Sequence, residues 1–397
     1  MSADAINPSS DARQARFRML AQVILFSVCT IIAVAWIAGV HQFLNDPNFE
    51  GEALDTDFSV FWAAARLAID GQWLAPFDTA TLTEWRKVPP DSPDYEMIWF
   101  YPPGYLLAIW PLGHLSFFWA WLAFCAVSLA IFIAAVIRPA REVPGAMMFL
   151  CCAPMTMLVL ALGQNPLIFC ALMVLSLEAI RRDQAILAGL ALAAMTLKPQ
   201  LGLAIPFALI AAGHWRVFFW ASGFTAVLVG ATIVFPGPDY WHAFLTGIAE
   251  GSERLRQGDL DNLMLSTYGS AAVIGFPDAV ALSLQAAVSV IALAVVCWIW
   301  RSNANFDIKA AALCVGTLLV TPYAIYYELM FALAGMLFLI RGIPEPPRSV
   351  VILALLVWLA PVLGITTRPD LGFSFTAPLL MAALFLIARF ALQRPAT

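Results

Sequence analysis

An all-α polytopic membrane protein of about twelve transmembrane helices (about 11–13) is the fold class that this sequence predicts, and three observations carry that reading. Of its 397 residues, 62% are hydrophobic and 12% charged, whereas an ordinary soluble domain has about 45–50% apolar and about 25% charged residues. Apolar runs of about 20 residues, the length that crosses a bilayer, recur along the chain. The basic residues then fall mostly on alternate connections between those runs, as the positive-inside rule requires. Together these exclude a soluble enzyme, a disulfide scaffold and a disordered chain.

Taken in order, uninterrupted spans are expected near residues 19–41, 116–138, 216–236, 279–300, 349–366 and 371–392. No small-residue cleavage site follows the first, which reads as a retained span. Residues 145–181, 185–213 and 308–341 are each too long for one comfortable crossing. Polar residues and proline break each of them, at Gly163-Gln164-Asn165-Pro166, at Lys198-Pro199-Gln200 and at Thr321-Pro322-Tyr323 through Glu328. Irregular backbone at membrane depth needs protein or water around it, so each stretch is read as a helical hairpin with its polar break at the tip. With both termini in the cytoplasm, this count puts 14 of the 21 Lys and Arg residues on the inner side. Turning any one hairpin into a single span would reverse everything after it and spoil that bias.

The chain is thus one membrane domain, 1–397, with two sizeable external segments, 44–115 and 237–278. Residues 44–101 hold eleven acidic residues against three basic ones, and 237–278 hold six against two. Residues 102–114 are apolar but too short to cross, and are expected as an interfacial or juxtamembrane helix. No basic cluster suits nucleic acid. The seven cysteines lie in apolar runs without C-x-x-C spacing and read as small buried residues. The four histidines are scattered, none paired at ligand spacing.

In the first loop, Phe58, Phe61, Trp62, Ala65 and Ile69 recur at helical spacing, with Arg66 and Asp70 one turn apart on another face and Gly71 as the stop. Such a helix is expected to lie on the membrane surface, with Trp62, Trp73 and Trp99 as interfacial belt residues. Asp57 stands at its N-terminal edge. It either caps the helix or serves as a base. Lys198 either meets an anion or snorkels to the surface. Arg254 and Arg256 suit a solvated loop, and Glu328 either ends a helix or belongs to a site. The three hairpin tips share the outer side, where Gln164, Asn165, Lys198, Tyr323 and Glu328 are expected to converge.

The string Asp57-Phe58-Ser59-Val60-Phe61-Trp62-Ala63-Ala64, then Gly71, Phe77-Asp78, Phe100-Tyr101-Pro102-Pro103-Gly104 and Pro111 resembles the family 87 glycosyltransferases. Gly163-Gln164-Asn165 is similar to their Gly-Gln-x-Asn element but one residue short of it. Lys198-Pro199 and Thr321-Pro322 resemble their Lys-Pro and Ser/Thr-Pro elements. The family's late histidines are replaced here by Tyr323-Ala324-Ile325-Tyr326-Tyr327-Glu328. The resemblance implies a GT-C-like bundle that transfers a sugar, usually mannose, from a polyprenyl-phosphate carrier to a lipid or glycan acceptor outside the cytoplasmic membrane. It also implies that the acidic residue of the first external loop, here Asp57, is the base.

That chemistry needs a carboxylate to take the acceptor's proton and cations to meet the charge on the leaving phosphate. Lys198 is the first candidate cation, followed by Arg66, Arg254, Arg256 and Arg368; Tyr101, Gln164, Asn165, Tyr323, Tyr327 and Glu328 are the other expected substrate contacts. No cofactor is required, although the acidic loops leave room for a divalent cation. The alternative function is a transporter or flippase of lipid-linked sugars. It would need ionisable residues through the full membrane depth, whereas most here collect toward the outer ends.

Overall fold

The structure, a computed structural model, describes residues 56–87, 96–256, 264–371 and 374–393. The expected first span at 19–41 lies outside the described residues. Among them are 17 α-helices and no strand. The described chain begins with α1 (Phe58–Ile69), α2 (Thr79–Arg86) and α3 (Pro103–Ile109), the last running into a 3-10 turn at Trp110–His114. Next come α4 (Phe117–Arg141), α5 (Ala146–Cys151), α6 (Pro154–Leu162), α7 (Pro166–Arg181), α8 (Ala185–Met195) and α9 (Ile205–Ala211). The chain continues through α10 (Trp215–Val234), α11 (Pro238–Arg256), α12 (Thr267–Ile274), α13 (Asp278–Arg301) and α14 (Phe306–Val320). It closes with α15 (Met330–Arg341), α16 (Arg348–Leu371) and α17 (Thr376–Leu392).

Three of these helices, α4, α10 and α13, are long and apolar enough to cross a membrane. At 1.5 Å per residue the shortest, α10, is about 30 Å long, matching a hydrocarbon core. They also carry exposed apolar side chains, Trp119 and Val127 on α4, Phe219 and Val227 on α10, Val290 and Ile291 on α13. In α10 only Val217 and Thr232 are buried. A surface so apolar suits lipid rather than water. Five further apolar helices are shorter, among them α1, α8 and α17.

The three polar breaks end helices as the sequence indicates, between α6 and α7, between α8 and α9, and between α14 and α15. The last is a plain hairpin, since α14 and α15 lie against each other. The second differs from the expectation: α8 packs mainly on α7 and α10, whereas α9 packs mainly on α13. The break at Lys198 therefore separates two helices with different partners.

The centre of the molecule is α7, α14 and α15. Twelve of the 15 residues of α14 and ten of the 12 of α15 are buried. Small residues permit this closeness, because a Cβ on Gly335 of α15 would stand 3.0 Å from Val315 Cγ2 of α14.

Two expectations about the first loop need correction. Helix α1 does not lie on a surface: ten of its 12 residues are buried, under α2, α4 and the Trp110–His114 turn. The reason is aromatic packing. The Phe58 ring meets those of Phe117 and Phe124 at 5.6 and 5.4 Å, and Trp62 Nε1 donates to the Leu115 carbonyl at 3.0 Å. Trp62 and Trp99 are buried rather than belt residues, and half-buried Trp73 meets the Phe235 ring at 4.7 Å. In α3, Tyr105, Leu106 and Ile109 are likewise buried.

At one end of α7, α14 and α15 lies a mesh of charges that the sequence did not suggest. Arg341 donates to Glu178 Oε1 at 2.6 Å and through Nε to Asp307 Oδ1 at 2.9 Å. Arg182 holds the other Glu178 oxygen at 2.6 Å, and Arg181 Nη1 stands 3.6 Å from Asp307. The opposite ends of the same helices carry the polar breaks.

Candidate active site

The site is assembled from the segment 57–105 and the three helix breaks. Helix α6 stops in a Schellman motif, with the Gln164 N–H on the Val159 carbonyl at 2.9 Å and the Gly163 N–H on Leu160 at 3.2 Å. Gly163 has φ +65°, and a Cβ there would stand 2.5 Å from Phe58 Cβ. Only glycine satisfies both the backbone and the contact. Its neighbour Gln164 is thereby set beside Asp57, the residue before Phe58.

Asp57 does not cap α1; its side chain makes no cap hydrogen bond. Gln164 Nε2 donates to Asp57 Oδ2 at 2.6 Å instead. The opposite end of that amide, Oε1, accepts the Asn165 N–H at 3.3 Å. An amide has one donor end and one acceptor end, so this second contact dictates that Gln164 presents N–H to the carboxylate.

Asn165 is fully buried. Its Nδ2 donates to the hydroxyls of Tyr101 at 2.9 Å and Tyr105 at 3.0 Å, and its Oδ1 accepts from Lys198 Nζ at 3.0 Å. Lysine can only donate, which fixes the orientation of this amide as well. Tyr101 and Tyr105 stack with centroids 4.2 Å apart, and Phe61 of α1 meets both rings edge-on. Burial pushes the Tyr101 phenol well above its ordinary range, and the Glu328 and Asp57 carboxylates push the same way. It therefore stays protonated at physiological pH.

Lys198 follows the end of α8, and Pro199 prevents the helix from continuing. It does not snorkel. The residue is 3% exposed, and Nζ pairs with Glu328 Oε1 at 2.8 Å and stands 5.1 Å from the centroid of the Tyr327 ring. Glu328 itself is 1% exposed and lies in a 3-10 turn, Tyr326–Leu329, where its second oxygen accepts the Ile325 N–H at 3.2 Å. The segment just before α12 secures this turn. The Leu265 N–H bonds the Ala324 carbonyl at 2.9 Å, and Met264 bridges Ile325.

Five of the expected substrate contacts, Tyr101, Gln164, Asn165, Lys198 and Glu328, thus form one network with Asp57, and Tyr327 lies against it. Tyr323 does not join it. Its ring faces Tyr268 at 6.2 Å in a satellite cluster with Met264, Ala271 and Ala281. Arg66 stacks over the Trp62 ring at 5.4 Å. The side chains of Arg254, Arg256 and Arg368 lie outside the described residues. Among the described residues, no three His, Cys, Asp or Glu side chains are grouped as metal ligands would be.

The sequence reading missed Tyr105, the second phenol on Asn165. The available signal was its place one turn after Tyr101 across Pro102-Pro103-Gly104, where both rings reach one face. It also missed Arg86, which is buried with Nε donating to Ser59 Oγ at 2.8 Å.

Comparison with curated proteins finds no match to the chain, and neither does comparison with solved structures. The family model described as Glycosyltransferase family 87 matches residues 99–322, more than half of the chain. The matched segment includes Tyr101, Tyr105, Gln164, Asn165 and Lys198, while Asp57, Tyr327 and Glu328 lie beyond its ends. The chain belongs to glycosyltransferase family 87, and its activity is that of a membrane glycosyltransferase.

Proposed function

We propose that this protein transfers a hexose, mannose by family resemblance, from a polyprenyl-phosphate carrier to a lipid or glycan acceptor at the outer face of the cytoplasmic membrane. Asp57 is the general base. In the reaction the acceptor hydroxyl oxygen attacks the anomeric carbon, the bond from that carbon to the phosphate oxygen breaks, and Asp57 takes the hydroxyl proton. Polyprenyl phosphate leaves, and the single displacement inverts the anomeric centre. The candidate cations for the leaving phosphate are Lys198, Arg66, Arg254, Arg256 and Arg368, of which Lys198 is buried and already paired with Glu328. Tyr101 and Tyr327 are the phenols on hand for sugar hydroxyls. The carrier's tail lies between spans. The full chain crosses about twelve times with both termini inside, a reading supported by the distribution of Lys and Arg.

The observation that supports this reading most is the setting of Asp57. A carboxylate at the start of a buried helix, uncommitted to capping it, accepts instead from Gln164 of the family's own Gly-Gln element. A carboxylate that accepts from a neighbouring amide and does not cap its own helix suits proton abstraction. The test is transfer by the purified protein in lipid, supplied with polyprenyl-phosphate-mannose and membrane lipid extract. Wild-type transfer is expected, with a loss of about 10²–10⁴-fold in Asp57→Asn and no change in melting temperature. Movement of carrier between leaflets without transfer would replace this reading with the transporter.

A further inference from the structure

We infer that Lys198 and Glu328 act as a positioning pair that fixes the Asn165 amide, and through it the Gln164 contact to Asp57, and that Lys198 is not the cation that meets the carrier's phosphate. The inference rests on the carrier reading above and narrows its choice of cation.

The contacts of Lys198 are already made. One N–H direction is on Glu328 Oε1 and another on Asn165 Oδ1, while the Tyr327 ring covers a further side. The side chain is 4% exposed, so a phosphate has no open approach to Nζ. Glu328 is equally committed, with one oxygen on Lys198 and the other on the Ile325 N–H. Two opposite charges 2.8 Å apart present a dipole to a third charge, and its field falls faster with distance than that of a single ion. The pair therefore offers a phosphate little attraction. Drawing Lys198 away toward a ligand would also leave Glu328 buried and uncompensated, which is costly.

What the pair does accomplish is orientation. The donor-only ammonium holds Asn165 Oδ1, so Nδ2 must face Tyr101 and Tyr105. With the Asn165 backbone and side chain fixed, its N–H holds Gln164 Oε1, and Gln164 Nε2 is left for Asp57. Lys198 follows α8 and Glu328 precedes α15. One ion pair thereby ties two helix breaks to the third, which carries Gln164 and Asn165. The leaving phosphate must find its cation among residues other than Lys198.

The experiment compares full-length wild type with Lys198→Gln, Glu328→Gln and the double variant K198Q/E328Q, all in lipid nanodiscs. Three quantities are measured: kcat and KM for polyprenyl-phosphate-mannose, binding of undecaprenyl phosphate by quenching of tryptophan fluorescence, and melting temperature. A positioning pair predicts that each single change lowers kcat about 100-fold, with donor KM and carrier binding within about threefold of wild type. The double variant, in which two neutral amides replace the charges, should recover to within about tenfold of wild-type kcat. Carrier binding weakened by more than about tenfold in both Lys198→Gln and the double variant, without recovery of kcat, would overturn the inference. If neither single variant folds, carrier binding by the double variant decides alone, retention supporting the pair and loss refuting it. A wild type that neither transfers sugar nor binds the carrier refutes the carrier reading instead. The pair is then judged from melting temperatures, where recovery in the double variant supports it and additive losses overturn it.

Discussion

Helices α7, α14 and α15 carry polar side chains at both ends, and the two ends are wired differently. At one end the groups stand in file: Glu328 to Lys198, Lys198 to Asn165, Asn165 to Gln164, Gln164 to Asp57. The links between the ion pair and Asp57 are neutral amides. At the other end the charges form a mesh, with Glu178 shared by Arg341 and Arg182 and with Asp307 approached by Arg341 and Arg181. Carboxylates surrounded by guanidinium groups hold helices together and have little left to give a substrate. The carboxylate reached through a line of amides, Asp57, is held in direction by Gln164 and is half-buried. The mesh suits stability, and the file suits chemistry.

Breaking the mesh should give the largest effect on folding. Arg341→Met leaves Glu178 and Asp307 without their shared partner and should cost about 3–5 kcal/mol. The drop should appear in thermal unfolding of the protein in detergent, and an unchanged melting temperature would mean that the mesh is not structural. Gly163→Ala strikes the file at its anchor. A Cβ at φ +65° and 2.5 Å from Phe58 Cβ must displace Gln164 from Asp57. About 1–3 kcal/mol of stability should be lost, and transfer should fall further than that instability accounts for. Stability and activity falling in strict proportion would show that Gln164 has no separate role. Tyr105→Phe is the mildest change. It removes one of two hydroxyls that Asn165 Nδ2 reaches and should cost about 0.5–1.5 kcal/mol, read as a small decrease in kcat with KM for the donor unchanged. A decrease as large as that of Asp57→Asn would place Tyr105 against substrate instead.

The site was partly legible because its members are polar residues inside apolar runs, and each such interruption is costly enough to signal a purpose. Gln164, Asn165, Lys198 and Glu328 announce themselves in this way. Tyr101 stood out through a motif, whereas Tyr105 did not, since an aromatic residue in an apolar stretch reads equally well as core. Tyr323 illustrates the limit from the other side. It sits in the same break as Glu328, but the direction of its ring depends on Tyr268, which is over fifty residues away in sequence. The mesh was invisible because Glu178, Asp307 and Arg341 each lie near a helix end, where a charge is ordinary.

By itself the sequence determined that the chain is helical and built for a membrane, where the helices break, and which rare polar residues interrupt them. These are local properties: hydropathy over about 20 residues, proline and glycine at helix ends, and the cost of a charge among apolar neighbours. The tertiary structure alone decided that α1 is buried rather than lying on a surface, that Asp57 accepts from Gln164 rather than capping α1, and that Lys198 is paired rather than snorkelling. Each of those outcomes depends on contacts between residues far apart in the chain, 107 positions apart for Asp57 and Gln164. A hydrogen-bonding group takes whichever partner the packing of helices brings within about 3 Å, and periodicity along the chain carries no record of that distance.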